Sequence, residues 1–156
     1  MKKNNKMARK LLLNLCFLFF IIFFYSGCAV NRATATIDPT ADIKSIKSIY
    51  VTKFAPDRRE LNKLIANKLE KMGYLVSTGV DKPSDVNAVI TYEDKWMWDI
   101  TNYMIELTIW LRDPKTNFPL ASGNSYHTSL TRKSPEEMVE EVIDNIFKKG
   151  VGNGQM

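Results

Sequence analysis

The sequence has little material for thiol or imidazole chemistry, with two cysteines and one histidine among 156 residues. Cys16 lies inside an apolar run and Cys28 closely follows it, so the chain beyond has no thiol and no disulfide. The lone His127 cannot form a zinc site, because such sites draw on three or four protein ligands. We therefore expect no metal and no cofactor, and we expect His127 to be a structural or surface residue.

Phosphate-binding and catalytic motifs are also missing. The chain contains no glycine-rich phosphate loop, no Gly-x-Ser-x-Gly segment and no His-Glu-x-x-His segment. Glu93 and Asp94 are neighbours on a predicted strand, so their side chains point to opposite faces and cannot converge on one bond. We expect Asp94 to accept hydrogen bonds from indole or backbone N–H groups. No enzyme activity is predicted, and a hydrolase that uses Asp94 or Asp99 is the last of three hypotheses.

Excess positive charge is confined to the beginning of the chain. The formal net charge is +5. The first 27 residues hold five of the 22 basic residues and no acidic residue, which leaves 17 residues of each sign in the rest of the chain. A neutral domain lacks the positive field that attracts phosphates, so we expect no nucleic-acid partner.

The beginning of the chain has the layout of a secretory signal. Basic residues precede a 15-residue apolar run, residues 11–25. As a helix this run would be about 22 Å long, which is short of the roughly 30 Å hydrocarbon core. The small residues Ser26 and Gly27 then precede Cys28. The site resembles the lipobox of bacterial lipoproteins, with Tyr25 where an aliphatic residue is usual. The alternatives are an uncleaved signal-anchor helix and ordinary signal cleavage.

The lipobox resemblance implies a processing site and a location. Residues 1–27 would be a lipoprotein signal peptide, cleaved between Gly27 and Cys28, and Cys28 would carry the lipid. Ala29 rather than aspartate follows this cysteine, which favours the outer membrane of the cell envelope, with the domain facing the periplasm. More than one acyl chain gives stable attachment to a bilayer. The expected partners are the membrane, through the lipid on Cys28, and an envelope protein.

A single domain is predicted beyond this segment. Residues 30–41 are polar and aperiodic, so we interpret residues 28–41 as the lipid-anchored cysteine and a flexible tether. Residues 42–150 are predicted to form an α+β domain in the order β-α-β-β-β-α. This order indicates a two-layer sandwich with a mostly antiparallel sheet and both helices on one face. Residues 151–156 are expected to fray.

Two amphipathic helices belong to this domain. The first has Asp57 and Glu60 at capping-box spacing, followed by an apolar stripe that ends at Gly73. The second is predicted to begin after Ser134, with Glu137 three residues later completing a second capping box. The residue types near the helix ends therefore predict where the helices begin and end, independently of how they pack.

The middle of the chain predicts a long hairpin and a third long strand. Residues 86–98 and 103–112 alternate between apolar and polar side chains. If paired residue numbers add up to 201, Lys95 lies opposite Glu106 and aromatic residues face aliphatic ones. The third strand covers residues 120–130, with Gly123 as a bulge. Four aromatic residues are expected in the core beneath the helices: Tyr92, Trp96, Trp98 and Tyr103.

The other face of the hairpin is predicted to be a contact patch. It carries Trp110 together with Lys95, Glu106 and Arg112. Helices on one side of the sheet leave this face to water or to a partner. Tryptophan and arginine are enriched among the residues that dominate protein interfaces. We therefore expect Trp110 to be partly exposed at the centre of the patch.

The sequence as a whole resembles small bacterial envelope lipoproteins of uncharacterised families. More loosely, it is similar to the lipopolysaccharide-assembly lipoprotein that plugs an outer-membrane barrel. A likeness of fold does not transfer an activity. The preferred hypothesis is a lipid-anchored, non-catalytic interaction or assembly module that faces the periplasm. The alternatives are a binder of a lipid or another amphiphile between helices and sheet, and the carboxylate-dependent hydrolase.

Overall fold

The computed structural model describes residues 10, 12, 14, 15, 29–54 and 57–152, the last four of them by their backbone alone. The elements are, in chain order, β1 (Asn31–Ile37), a 3-10 turn (Ile43–Ser45), β2 (Ser48–Thr52), α1 (Leu61–Lys71), β3 (Leu75–Gly79), β4 (Ala88–Asp99), β5 (Thr101–Arg112), β6 (Pro119–His127), a second 3-10 turn (Ser129–Thr131) and α2 (Pro135–Gly152). None of the helices in these residues has the length and apolar character needed to cross a bilayer.

The six strands form one sheet in the order β1-β6-β5-β4-β2-β3. The neighbouring pairs β1-β6, β6-β5 and β5-β4 are antiparallel, whereas β2 runs parallel to both β3 and β4. Helix α1 carries the chain from β2 back to the same end of the sheet, as a parallel pair requires. The predicted α+β fold with a mostly antiparallel sheet is confirmed. The predicted order β-α-β-β-β-α is two strands short, because β1 and β3 complete the sheet at its edges.

Both helices cover the same face of this sheet. Their apolar stripes join one core with the inward-facing residues of the strands. Burial of these stripes removes apolar surface from water and is the main term that holds the two layers together. The completely or almost completely buried members of the core include Leu61, Ile65 and Leu69 of α1, Met138, Val142 and Ile146 of α2, and Leu107, Ile109 and Leu111 of β5.

The segment predicted as a flexible tether contains strand β1. This strand pairs with β6 along its whole length, from Asn31 opposite His127 to Ile37 opposite Ala121. Ala35 and Ile37 pack against the core, while Thr34 is exposed. The alternation of alanine and threonine in the sequence is a strand pattern, but it is a weak one because these side chains are small. The tether interpretation is therefore wrong for residues 31–37.

The predicted hairpin register is correct only for the part of the hairpin nearest the core. Residues 89–95 pair as predicted, including Lys95 with Glu106. A β-bulge between Lys95 and Trp96 then shifts the register by one, so that Trp96 lies opposite Met104 instead of Ile105. An extra residue on one strand increases the local twist and redirects the side chains beyond it.

The hairpin turn differs from the prediction for the same reason. Asp99 pairs with Thr101 rather than with Asn102. Ile100 alone lies between the paired residues, with φ 61. A β-branched residue in the left-handed region is unusual, so the sequence pattern gave no reason to expect it. Trp98, predicted to pair with Tyr103 in the core, faces Asn102 and is exposed.

The two helices follow their predicted caps to different degrees. Helix α2 has the predicted capping box: the Ser134 N–H donates to Glu137 Oε2 at 2.7 Å, and the Glu137 N–H donates to Ser134 Oγ at 3.2 Å. Helix α1 begins only after Glu60, which has φ 58 and no side-chain capping bond. The predicted Asp57 cap is wrong, because α1 begins only at Leu61; the Asp57 carboxylate accepts a 3.4 Å hydrogen bond from the Asn62 N–H in the first turn together with a 2.7 Å bond from the Tyr92 hydroxyl.

The ends of α1, α2 and β6, and the position of Gly123, can be compared with the prediction. Gly73 follows α1 with φ 93, as predicted. Helix α2 continues to Gly152, so residues 151 and 152 are helical rather than frayed, and residues 153–156 lie outside the described residues. Strand β6 ends at His127, earlier than predicted. Gly123 is not at a bulge; it pairs with both neighbouring strands, and a Cβ there would lie 2.8 Å from Val142 Cγ1.

Candidate functional site

The predicted lipidation and cleavage residues, Cys28 and Gly27, lie outside the described residues. The chain that follows them is tied to the domain almost at once. The Val30 N–H donates to Thr128 Oγ1 at 3.1 Å, and the Val30 carbonyl accepts a 2.6 Å hydrogen bond from the Thr131 hydroxyl. The domain therefore begins within two residues of Cys28.

The sheet face opposite the helices carries an ordered polar network. Lys95 Nζ lies 2.8 Å from Glu106 Oε2, and the other Glu106 oxygen accepts a 2.9 Å hydrogen bond from the Asn124 amide. The same amide nitrogen donates to Thr108 Oγ1 at 2.9 Å. The hydrogen bond from Lys95 is the largest of the effects that lower the pKa of Glu106. The network fixes side chains from three adjacent strands on one open face.

Trp110 lies on this same face and is half-buried. It pairs with Thr91 on one side and Ser122 on the other, so it occupies the middle of the sheet. Arg112 Nε donates to Thr91 Oγ1 at 3.0 Å, and the guanidinium carbon lies 5.7 Å from the centre of the Trp110 ring. The structure thus places the four predicted patch residues on one uncovered face, which we call the open face.

The four aromatic residues predicted for the core have different environments. Tyr92 belongs to the core beneath the helices and the half-buried Trp96 packs against it, whereas Tyr103 is buried outside this core and Trp98 is 72 % exposed. The prediction was wrong for Tyr103 and Trp98, because the bulge shifts the register of the hairpin beyond Lys95. Asp94 accepts a hydrogen bond from the Trp96 indole N–H, as predicted.

The end of the β4-β5 hairpin is an exposed apolar surface that the sequence analysis missed. Met97, Trp98 and Ile100 have exposed fractions of 48 %, 72 % and 87 %, and we call these three residues the hairpin tip. The tip was missed because the predicted register assigned Trp98 to the core. Met97 and Trp98 are neighbours on β4, so their side chains point to opposite faces and, with Ile100 at the turn, expose apolar surface on both sides of the end of the hairpin.

Arg132 ties the hairpin tip to the loop before α2. Its guanidinium donates to the Asp99 carbonyl at 3.0 Å and to Asp99 Oδ2 at 2.9 Å, and also to Thr101 Oγ1 at 2.9 Å. The guanidinium carbon lies 4.2 Å from the centre of the Tyr103 ring. Leu130, 72 % exposed, is in the adjacent 3-10 turn. Three hydrogen bonds from one guanidinium therefore join the base of the tip to this loop.

A buried polar cluster surrounds Glu141 on α2. Its carboxylate accepts hydrogen bonds from Ser125 Oγ at 2.6 Å, from His127 Nε2 at 2.8 Å and from Lys133 Nζ. Burial alone would raise the pKa of Glu141, but the bonds from Lys133, Ser125 and His127 outweigh it and lower the pKa to about 2. The second imidazole nitrogen, Nδ1, has no hydrogen-bond partner among the described residues.

This cluster does not have the arrangement of a catalytic triad. In a triad the base contacts the nucleophile and is oriented by a carboxylate. Here Ser125 and His127 both donate to the carboxylate of Glu141. Ser125 and His127 are also completely buried, so a substrate would not reach them. The cluster joins β6 to α2 and has a structural role, in agreement with the structural alternative for His127.

A narrow cleft lies between the two helices of the described residues. The cleft between α1 and α2 has a volume of about 100 Å³ and is rimmed by Lys68, Lys71 and Glu136. Pockets for small molecules usually measure roughly 300–1,000 Å³. A larger groove of about 400 Å³ lies near the β5-β6 turn, between polar residues that include Asp42, Asn87 and Asp113. Among the described residues, no three His, Cys, Asp or Glu side chains are grouped so as to hold a metal ion.

Comparisons with known proteins indicate a fold but not a family. No family model and no curated protein matches the chain. The PelC dodecamer from Paraburkholderia phytofirmans matches in two crystal forms, with TM-scores of 0.55 and 0.53 at 17 % and 14 % identity. The match covers 74 % of this chain and 96 % of PelC in the first form, and 75 % and 98 % in the second. A PDZ domain protein from Parabacteroides distasonis gives a TM-score of 0.47 at 12 % identity, over 69 % of this chain and 32 % of that one. At these identities, the chain is similar to PelC in fold alone.

Proposed function

We propose that this protein is a non-catalytic interaction or assembly module of the bacterial cell envelope. A lipid on Cys28 holds it on the membrane, and its open face binds a protein partner in the periplasm. The observation that carries the proposal is the open face itself, where the half-buried ring of Trp110 lies on the side of the sheet opposite the two described helices of the domain. Ala29, next to the lipidated cysteine, favours the outer membrane over the inner one.

The fixed side chains of the open face support a binding role. Lys95, Glu106 and Arg112 already have hydrogen-bond partners within the sheet. Binding of a partner would therefore cause only a small further loss of side-chain entropy, so more of the contact energy would contribute to affinity. Trp110 offers a large apolar surface with neighbouring charges, the composition found where interface energy concentrates.

The open face is tested by replacing Trp110 in the lipidated full-length protein. We expect Trp110→Ala to reduce cross-linking and co-purification of the partner strongly. Because the ring is only half-buried, we expect a loss of stability below the roughly 3–5 kcal/mol of a fully buried tryptophan. Met72→Ala, which removes an exposed apolar side chain on the helix side, is the matched control. Unchanged capture by folded Trp110→Ala protein would contradict the proposal.

The partner to test first is a second copy of this chain. The PelC structures that share the fold are dodecamers. Sedimentation of the purified protein, with and without the Trp110→Ala substitution, shows whether the open face mediates self-association. A monomer of unchanged size in both samples directs the search to a different envelope protein.

The lipid anchor has its own test. We expect Cys28→Ser to prevent lipidation, so the protein should leave the membrane fraction and retain its fold. Mass spectrometry of the wild-type N-terminal peptide should show acyl groups on Cys28. An unmodified Cys28 in membrane-bound wild-type protein would contradict this part of the proposal and favour the signal-anchor alternative.

A further inference from the structure

We infer that the hairpin tip inserts into the interfacial layer of the same bilayer that holds the lipid on Cys28. This inference rests on the proposed lipid anchor and adds a second, apolar point of contact with the membrane. Met97, Trp98 and Ile100 would contact lipid. The test below distinguishes this contact from binding of a protein at the tip.

The hairpin extends beyond the rest of the sheet. Strand β6 pairs with β5 only from Glu106 onward, and β2 pairs with β4 only at residues 88–90. Among the described strands, residues 101–105 therefore pair with β4 alone, and they form a two-stranded arm with it. Five residues at the rise of an antiparallel strand make the arm about 17 Å long. The apolar tip lies at the outer end of this arm.

The N-terminus of the domain lies at the same end of the sheet as the arm. Asn31 pairs with His127 at the end of β6, beside the strand from which the arm projects. Val30 is bound to Thr128 and Thr131, directly before the arginine that holds the tip. Cys28 is two residues before Val30, a distance of at most about 7 Å along the chain. A lipid on Cys28 would therefore bring this end of the molecule to the bilayer.

The chemistry of the tip suits the membrane interface. Tryptophan is enriched at the boundary between headgroups and acyl chains, because its ring is apolar and its N–H is polar. Met97, Ile100 and the nearby Leu130 add apolar surface, with exposed fractions of 48 %, 87 % and 72 %. The charges of Asp99 and Arg132 at the tip form an ion pair at 2.9 Å. Because these two charges cancel, we expect the contact of the tip with lipid to be independent of anionic headgroups.

The test uses the lipidated full-length protein in vesicles of phosphatidylcholine whose acyl chains are brominated, because bromine quenches tryptophan fluorescence on contact. We expect strong quenching in the wild type, with no dependence on salt concentration. In the matched double variant, Trp98→Phe with Phe118→Trp, the tryptophan moves to the exposed turn at the opposite end of β5. We expect this variant to lose most of the quenching while it floats with the vesicles as the wild type does.

The outcomes separate this inference from the anchor on which it rests. Protein that floats with vesicles and shows equal quenching in the wild type and the double variant would overturn the membrane contact of the tip and leave the anchor standing. Protein that does not float would overturn both. Loss of self-association in Trp98→Phe protein, without any quenching in the wild type, would assign the tip to a protein interface and overturn the inference.

Discussion

Glu141 connects more buried polar groups than any other carboxylate described above. Ser125 and His127 come from alternate positions of β6, so they face the helix together, and Lys133 reaches the second carboxylate oxygen from the loop before α2. Buried polar groups are costly unless they are hydrogen-bonded, so the cluster favours one registration of α2 on the sheet.

The depressed pKa of Glu141 makes stability depend on pH. Its pKa is about 2 in the folded protein against an ordinary value of 4.5. The stabilisation is therefore complete above about 4.5 and is lost as the pH falls toward about 2. We expect Glu141→Gln to cost about 1–3 kcal/mol at neutral pH, because buried donors lose a charged acceptor. Urea denaturation at pH 7 and pH 3 should show the difference between variant and wild type shrinking in acid, and a constant difference would contradict this account.

Gly123 lets α2 approach β6. A Cβ at this position would lie 2.8 Å from Val142 Cγ1 and 3.0 Å from Ile146 Cγ1. We expect Gly123→Ala to destabilise the protein by about 1–3 kcal/mol, because both contacts are in the packed core. Gly79→Ala is the matched control, since its new Cβ would meet only the Tyr50 hydroxyl at 3.8 Å. Equal melting temperatures for the two variants would show that the helix can move away without cost.

At the scale of elements, the ends of α2 and α1 show what a sequence pattern can predict. Both starts have the spacing of a capping box, but only the Ser134 box forms. Helix α1 begins at Leu61, and the Asp57 carboxylate bonds both to the Asn62 N–H in the first turn and to the hydroxyl of Tyr92, 35 positions away. The local motif therefore located the start of α2 correctly and placed the start of α1 too early in the chain.

The Ser134 cap can be measured directly. We expect Ser134→Ala to lower the free energy of unfolding by about 1 kcal/mol, because the Glu137 N–H loses its acceptor. Ser134→Asp should retain most of the stability, since aspartate is an equally good cap. Thermal melts of the three proteins are sufficient, and an alanine variant as stable as the wild type would show that solvent replaces the cap.

The hairpin shows where the pattern fails. Cross-strand pairs near the core, such as Lys95 with Glu106, follow from alternation and charge. The bulge at Trp96 and the left-handed Ile100 do not, because neither glycine nor asparagine marks them. The open face was therefore predictable, since its residues lie in the part of the hairpin where the predicted register holds, and the tip was not. The Glu141 cluster was also beyond the sequence, because a helix and a strand far apart in the chain supply its members.

At the scale of the whole molecule, β1 belongs to the folded unit. Chains that begin at Ala29 and at Asp42 differ in the presence of this strand. We expect the shorter chain to lose at least about 2 kcal/mol of stability, because the packing of Ile37 and the edge pairing of β6 disappear. The urea midpoints of the two chains give the comparison. Identical midpoints would restore the interpretation of residues 31–37 as a tether.

With the proposed lipid on Cys28, the place of β1 would also limit how far the domain can move from the membrane. Only Ala29 and Val30 separate Cys28 from the strand. A lipid on Cys28 would hold the domain within roughly 10 Å of its attachment point, whereas a 14-residue tether would allow about 45 Å. The volume that the domain could reach with the shorter link is smaller by about two orders of magnitude. The effective concentration of the domain near a partner at the bilayer surface would be higher by the same factor. A domain held in this way would select partners that lie beside it on the membrane and would present the same side to each of them.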